Sequence, residues 1–214
     1  GERYRDALAA LPADLVRGPV AERLVDGARR RYQAGLRRSW GAMRSTRYFR
    51  LLDALEQVSA APPAAPDSGI EHVTIAASYR KVRKTVKTAR RADEAAIAAA
   101  ADGAETAPEL AIERDHALHR IRKAAKRLRY VAEATGDKAV GKQAKLIQTL
   151  LGDHQDSVVS REHLLEQADV AQAAGEDTFT YGVLHQREAD LAARCEEQLP
   201  AALKSLRRSV RAAR

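Results

Sequence analysis

Apolar residues recur along this chain at spacings of three and four, the period of an amphipathic helix, and no β-hairpin signal interrupts them. Breakers divide the pattern into helices. Residues 2–11 predict a short helix ending before Leu11-Pro12. Gly18-Pro19 opens the next, with Pro19 at its first position. It runs to about Arg44, with Leu24, Ala28 and Tyr32 as an apolar stripe and Arg30, Arg37 and Arg44 at seven-residue spacing. Ser45 is placed to cap a third helix that turns Tyr48, Leu51, Leu52 and Leu55 inward. Ala60 to Gly69, with Pro62, Pro63 and Pro66, reads as a linker. Ile70 to Ala101 follows as one long helix stopped by Asp102-Gly103. Thr106 and Pro108 start the next, which Gly136-Asp137 ends. A helix from Lys138 to Leu151 is expected to stop at Gly152. Asp153 then serves as N-cap for a helix to Ala174, with Asp156 three residues on. Gly175 breaks that helix, Glu176 to Glu197 forms another, and Pro200 opens the last.

This reading makes the chain all-α, with a partial N-terminal bundle over 1–59, a linker over 60–69 and a complete antiparallel bundle over 70–214. Composition agrees: hydrophobic content is 45% and aromatic content only 4%, an Ala/Leu-rich helical balance. The formal net charge of +8 calls for an anionic partner, such as nucleic acid, a phosphorylated polymer or a membrane surface. The single Cys195 excludes an internal disulfide and fits a reducing cytosol. No apolar run approaches the ~20 residues of a membrane span, and no secretory segment is visible. The chain begins Gly-Glu-Arg without Met, as a piece of a longer protein would.

The distribution of charge is more informative than its total. Windows 29–50, 79–91, 116–130 and 203–214 contain no carboxylate and hold 26 of the 37 Lys and Arg. The third, HALHRIRKAAKRLRY, divides cleanly on a helical wheel. His119, Arg122, Lys123, Lys126 and Tyr130 share one face, with Arg127 and Arg129 at its margins. Leu118, Ile121, Ala124, Ala125 and Leu128 lie opposite. Solvated helical faces usually interleave carboxylates at i,i+4 because like charges there repel by a few tenths of a kcal/mol. Nothing in this window relieves the repulsion, so an external anion is expected to do so. Arg80, Arg83, Lys84, Lys87 and Arg91 repeat the pattern on the preceding long helix, with Val82, Val86 and Ala89 opposite. Two helices joined by a short turn are antiparallel neighbours, so these two basic faces are expected to line one groove. Lys204, Arg207, Arg208 and Arg211 share a face of the last helix.

Catalytic and metal chemistry has weaker carriers. His154 between Asp153 and Asp156 suggests a metal-dependent phosphohydrolase as an alternative, but a helix start explains the two carboxylates, and adjacent helical residues diverge by about 100°. His116 and His119 share a helix one turn apart, where six neighbouring cations oppose a metal ion. Cys195 is isolated beside Glu196 and Glu197. No metal, cofactor or catalytic set is assigned. A nucleic-acid binder is the other alternative, weakened by the lack of aromatic stacking platforms beyond Trp40 and two Phe.

HALHRIRKAAKRLRYVAE (116–133) followed by LIQTLLGDHQDSVVSREHL (146–164) resembles the histidine-containing α-helical family called CHAD. The likeness extends more loosely through 11–24, 45–56 and 78–87. The resemblance implies two pseudo-symmetric helical bundles around a basic channel that binds inorganic polyphosphate without turning it over. Carried over by motif, the channel residues are His119, Arg122, Lys126, Arg127, Arg129 and Tyr130, with Lys145 ahead of the glutamine of the following segment. It further implies a cytoplasmic location, association with polyphosphate granules, and an adjacent CYTH-type domain in a longer protein. The family pattern also opens with an earlier basic helix that this sequence lacks. Part of the channel lining is therefore expected to come from outside it.

Overall fold

A computed structural model describes residues 1–61, 73–101 and 107–213; they are helical almost throughout, with no strand among them. The protein is all-α. Its helices are α1 (Glu2–Ala9), α2 (Gly27–Met43, entered through a π-helical turn over Glu22–Asp26), α3 (Thr46–Ala60), α4 (Ile75–Ala101), α5 (Ala107–Ala134), α6 (Lys138–Ala173) and α7 (Phe179–Ala212). Most of the expected linker, 62–69, and the stop and start signals at Asp102-Gly103 and Thr106 lie outside the described residues.

Several helix ends follow from local chemistry. Ser45 accepts a hydrogen bond from the Tyr48 N–H and caps α3 as expected. Thr74 does the same for α4 through the Ala77 N–H. After α5 the Asp137 N–H reaches back to Ala132 O at 2.8 Å and Gly136 adopts φ +77°, a left-handed C-cap that a Cβ would strain. Asp137 Oδ1 then accepts from the Val140 N–H at 2.9 Å and starts α6. Gly175 ends α6 in the same way, at φ +73°.

Two expected breaks are absent. Gly152 lies inside α6, so Asp153 is no N-cap, and Pro200 lies inside α7. A mid-helix glycine costs about 1 kcal/mol and a proline about 3. A fully buried Leu or Ile contributes about 2 kcal/mol. Ile147, Leu150 and Leu151 before Gly152, and Leu199, Ala202 and Leu206 around Pro200, are all buried, and this packing carries both helices through.

The chain divides into two compact units, one of residues 1–71 and 164–184 and one of 72–163 and 185–214. Residues 164–184 thus belong with the N-terminal helices, a division different from the expected one at 59/70. In the first unit Leu11, Val20, Leu24, Leu164, Ala171, Tyr181 and Leu184 form the core. Buried Thr180 fastens it, its Oγ1 accepting from the Arg17 N–H at 2.7 Å and donating to Leu15 O at 2.8 Å. Arg23 donates two 2.6 Å hydrogen bonds to Glu176, which hold that carboxyl below its usual range. The expectation for α3 fails: Leu51, Leu52 and Leu55 are exposed, as is Tyr32 on α2.

The second unit is built on α4, α5 and parts of α6 and α7. Val82, Ile121, Leu128, Ile147, Leu151, Leu199 and Leu206 lie in its core. Helices α4 and α5 are antiparallel. Asp93 near the end of α4 pairs with Arg114 near the start of α5 at 3.3 Å, while Ile75 and Thr135, at their other ends, line one cleft. One polar chain then joins all four helices: Asp93 on α4, Arg114 on α5, Glu196 on α7 and His154 on α6.

Candidate functional site

The register of α5 against α6 sets the basic face. An added Cβ at Gly141 would lie 3.8 Å from Ala132 Cβ, and one at Gly152 would lie 3.5 Å from Arg122 Nε. Both glycines therefore face α5. They are eleven residues apart, three helical turns, so they lie on one line along α6. Positions 145 and 148 fall within about 40° of that line. The absence of a side chain at 152 is what lets the Arg122 guanidinium lie across the neighbouring helix.

Several side chains lie along this seam. Arg122 and Arg129, two turns apart on α5, are half-buried, whereas His119 and Lys126 beside them are exposed. The Tyr130 ring, half-exposed, takes the Lys126 ammonium at 5.7 Å and the Arg129 guanidinium at 4.9 Å from its centroid. The ring therefore holds two cations of the row close to it. On α6, Lys145 is exposed and Gln148 half-buried. Arg122 Nε and Gln148 Oε1 are buried atoms without a hydrogen-bond partner. Arg129 Nε is 3.2 Å from Glu133 Oε1, within ion-pair reach, but its hydrogen is not directed at that oxygen. Buried polar atoms are normally satisfied. A half-buried arginine with an unanswered N–H is a donor awaiting an acceptor.

The other expected residues take different positions. Lys123 and Arg127 are exposed about 100° and 140° round α5 from Arg122, together on one flank. Arg80, Arg83, Lys84, Lys87 and Arg91 are all exposed, and all but Arg83 point more than about 130° away from the Val82 line that packs into the core. Antiparallel packing of α4 and α5 is as expected, and Arg122 lies against Gly152 of α6. Lys204, Arg207 and Arg208 are exposed on α7, Lys204 and Arg208 opposite buried Leu206 and Arg207 at the margin of the buried face.

Asp153, His154 and Asp156 do not converge. His154 is buried and its Nε2 lies 2.9 Å from Glu196 Oε1, while both aspartates are exposed. Among the described residues no group of three or more His, Cys, Asp or Glu is placed to hold a metal ion. Burial, with the Asp153 carboxylate adding to it, pushes the Cys195 thiol up, the wrong direction for a nucleophile. No described helix is long and apolar enough to cross a membrane.

Sequence reasoning missed Gln148, Glu196 and the role of Gly152. The signal for the last was present: two glycines three turns apart in one helix define a face where another backbone comes close.

The family model of the CHAD domain matches residues 1–165. The chain belongs to the CHAD family. Two proteins of Mycobacterium tuberculosis, from strains CDC 1551 and H37Rv, both carrying the name "Uncharacterized protein", are each 60% identical to it over 217 residues. Those matches cover 100% of this chain and 39% of each relative. No solved structure matches. The motif residues of the CHAD resemblance that gather at the seam are His119, Arg122, Lys126, Arg129, Tyr130 and Lys145; Arg127 does not.

Proposed function

We propose that this CHAD domain binds inorganic polyphosphate along the α5–α6 seam and does not turn it over. The observation that carries the reading is Arg122, laid across Gly152 with its buried Nε hydrogen unanswered, while Gln148 Oε1 on the same α6 line is likewise unpartnered. Arg122 and Arg129 are the inner contacts, and His119, Lys126 and Lys145 the outer ones. Polyphosphate carries about one charge per phosphorus with no sugar between, so successive oxygens can meet cations one helical turn apart, about 5.4 Å. Guanidinium–phosphate hydrogen bonds are charge-assisted and about twice as strong as neutral ones. The exposed rows on α4 and α7 would draw the polymer in by long-range attraction. In this reading the protein works in the cytoplasm at polyphosphate granules, beside a CYTH-type domain.

Competition binding among long-chain polyphosphate, short phosphates and single-stranded DNA tests it, with free phosphate assayed in the presence of Mg²⁺ or Mn²⁺. Long polyphosphate is expected to win, with no phosphate released. Arg122→Glu is expected to weaken binding by well over about tenfold, since it removes one charged contact and adds a repulsion. Arg38→Glu on α2 is expected to cost far less. Equal losses from the two variants would replace the seam with diffuse attraction. DNA winning would favour the nucleic-acid reading instead.

A further inference from the structure

The cationic row of α5 meets a carboxylate at each end. Glu133 follows Lys126 by seven residues and Arg122 by eleven, and Asp115 precedes Arg122 by seven and Lys126 by eleven. At about 100° per residue, each carboxylate falls within about 20° of the lines through both cations. The two are eighteen residues apart, five helical turns or about 27 Å along one line, and the sequence between them contains no carboxylate. His119, Arg122, Lys126 and Arg129 fill the interval. Asp115 stands one turn before His119, and Glu133 one turn after Arg129. Asp115 is half-buried, and the Glu133 side chain is 56% exposed. Glu133 touches the row, its Oε1 3.2 Å from Arg129 Nε.

Helix stability does not account for Glu133. It is the last residue but one of α5, where the helix dipole opposes a negative charge. Its pair with Arg129 runs from Arg to Glu at i,i+4, the weaker of the two orders. Its place makes sense along the row instead. Inside the interval the seam face offers an anionic chain a cation at each turn. One turn further out, on the same line, it offers a carboxylate that repels the same chain. We propose that Asp115 and Glu133 are end stops of the seam, specificity-determining residues that confine the gripped part of a polyphosphate chain to the row between them. The inference rests on the polyphosphate reading and adds a length to it. The seam grips a segment of fixed extent, and the chain leaves α5 beyond each carboxylate.

The test compares triphosphate, which fits within the row, with long-chain polyphosphate, which overruns it. Both are titrated at one salt concentration into the 214-residue protein and its Asp115→Asn/Glu133→Gln variant. Removing both charges should raise affinity for the long chain by at least about threefold and change that for triphosphate by less than about twofold, the range of exposed like-charge effects. Glu133→Gln alone, at an exposed side chain, should give part of the same gain, so the outcome does not depend on how the half-buried Asp115 site tolerates change. Asp115→Glu/Glu133→Asp keeps both charges and should keep the wild-type ratio of the two affinities. An equal gain for both ligands would mean a general change of field. No gain for the long chain in either neutralised variant would mean that the chain never reaches the carboxylates. Either result overturns the end stops and leaves the seam standing. A wild-type protein that binds neither ligand overturns the seam reading as well.

Discussion

Glu196 sits between His154 and Arg114, and each faces it from a different helix. Its hydrogen bond with His154, then the nearby Arg114 charge, hold its carboxyl below the ordinary carboxylate value of 4.5. A carboxyl depressed by folding stabilises the fold fully above its unfolded value and loses that contribution as pH falls through the folded one. The thermal midpoint should therefore drop below about pH 4.5. Glu196→Gln should flatten that part of the profile and cost about 1–2 kcal/mol at neutral pH, because it leaves His154 and Arg114 without their charged acceptor. Melting curves of both proteins between pH 6 and 3 check this; parallel profiles would mean that other carboxyls carry the acid sensitivity. This contact also shows where the sequence stopped informing. The carboxylates nearest His154 in the chain are Asp153 and Asp156, which helical geometry turns away from it. Its partner is 42 residues on. Local spacing suggested a metal site, and the burial of one face of α6 decided otherwise.

Individual helices were legible wherever a terminus carried its own chemistry. Gly136 and Gly175 end their helices in left-handed conformations, and Ser45 caps its own, because these signals need only residues close in sequence. Gly152 and Pro200 have the same composition as breakers, but buried Ile147, Leu150 and Leu151 precede the one and buried Leu199 and Leu206 flank the other, a tertiary fact that no local window contains. The exposure of Leu51 and Leu55 was likewise invisible, because periodicity reports an apolar face and not what covers it. Gly152 can be tested as an element of the seam. Gly152→Ala removes about 1 kcal/mol of helix penalty, and its Cβ meets Arg122 at an ordinary 3.5 Å. It should raise the thermal midpoint and leave polyphosphate affinity nearly unchanged. Gly152→Leu fills the space that Arg122 crosses and should weaken binding by about tenfold, the effect of losing one charge-assisted contact. Unchanged affinity in Gly152→Leu would show that Arg122 does not bind across α6.

At the scale of the molecule, the family and the all-α class were readable from the charged motifs and the 3.6-residue period, whereas the division of the basic residues was not. The cations of α4, α5 and α7 look equivalent as windows without carboxylates. In the fold, Arg122 and Arg129 are half-buried beside α6, and the α4 and α7 rows stand out in solvent. Solvent-exposed cations act through long-range attraction that salt screens beyond about 10 Å at 0.1 M. Half-buried cations act through directed hydrogen bonds that salt weakens less. The two classes should therefore separate in a salt titration. Each exposed Lys or Arg that neutralises a phosphate adds slightly less than one unit to the slope of log affinity against log salt. Lys84→Ala and Lys87→Ala together should lower that slope while keeping most of the high-salt affinity. Arg122→Ala should cut the affinity that survives at high salt, more than it changes the slope. Binding isotherms with long-chain polyphosphate from 50 mM to 500 mM salt make the comparison. If both variants shift only the slope, the partial burial of Arg122 contributes nothing to recognition, and its unanswered Nε hydrogen is a feature of packing alone.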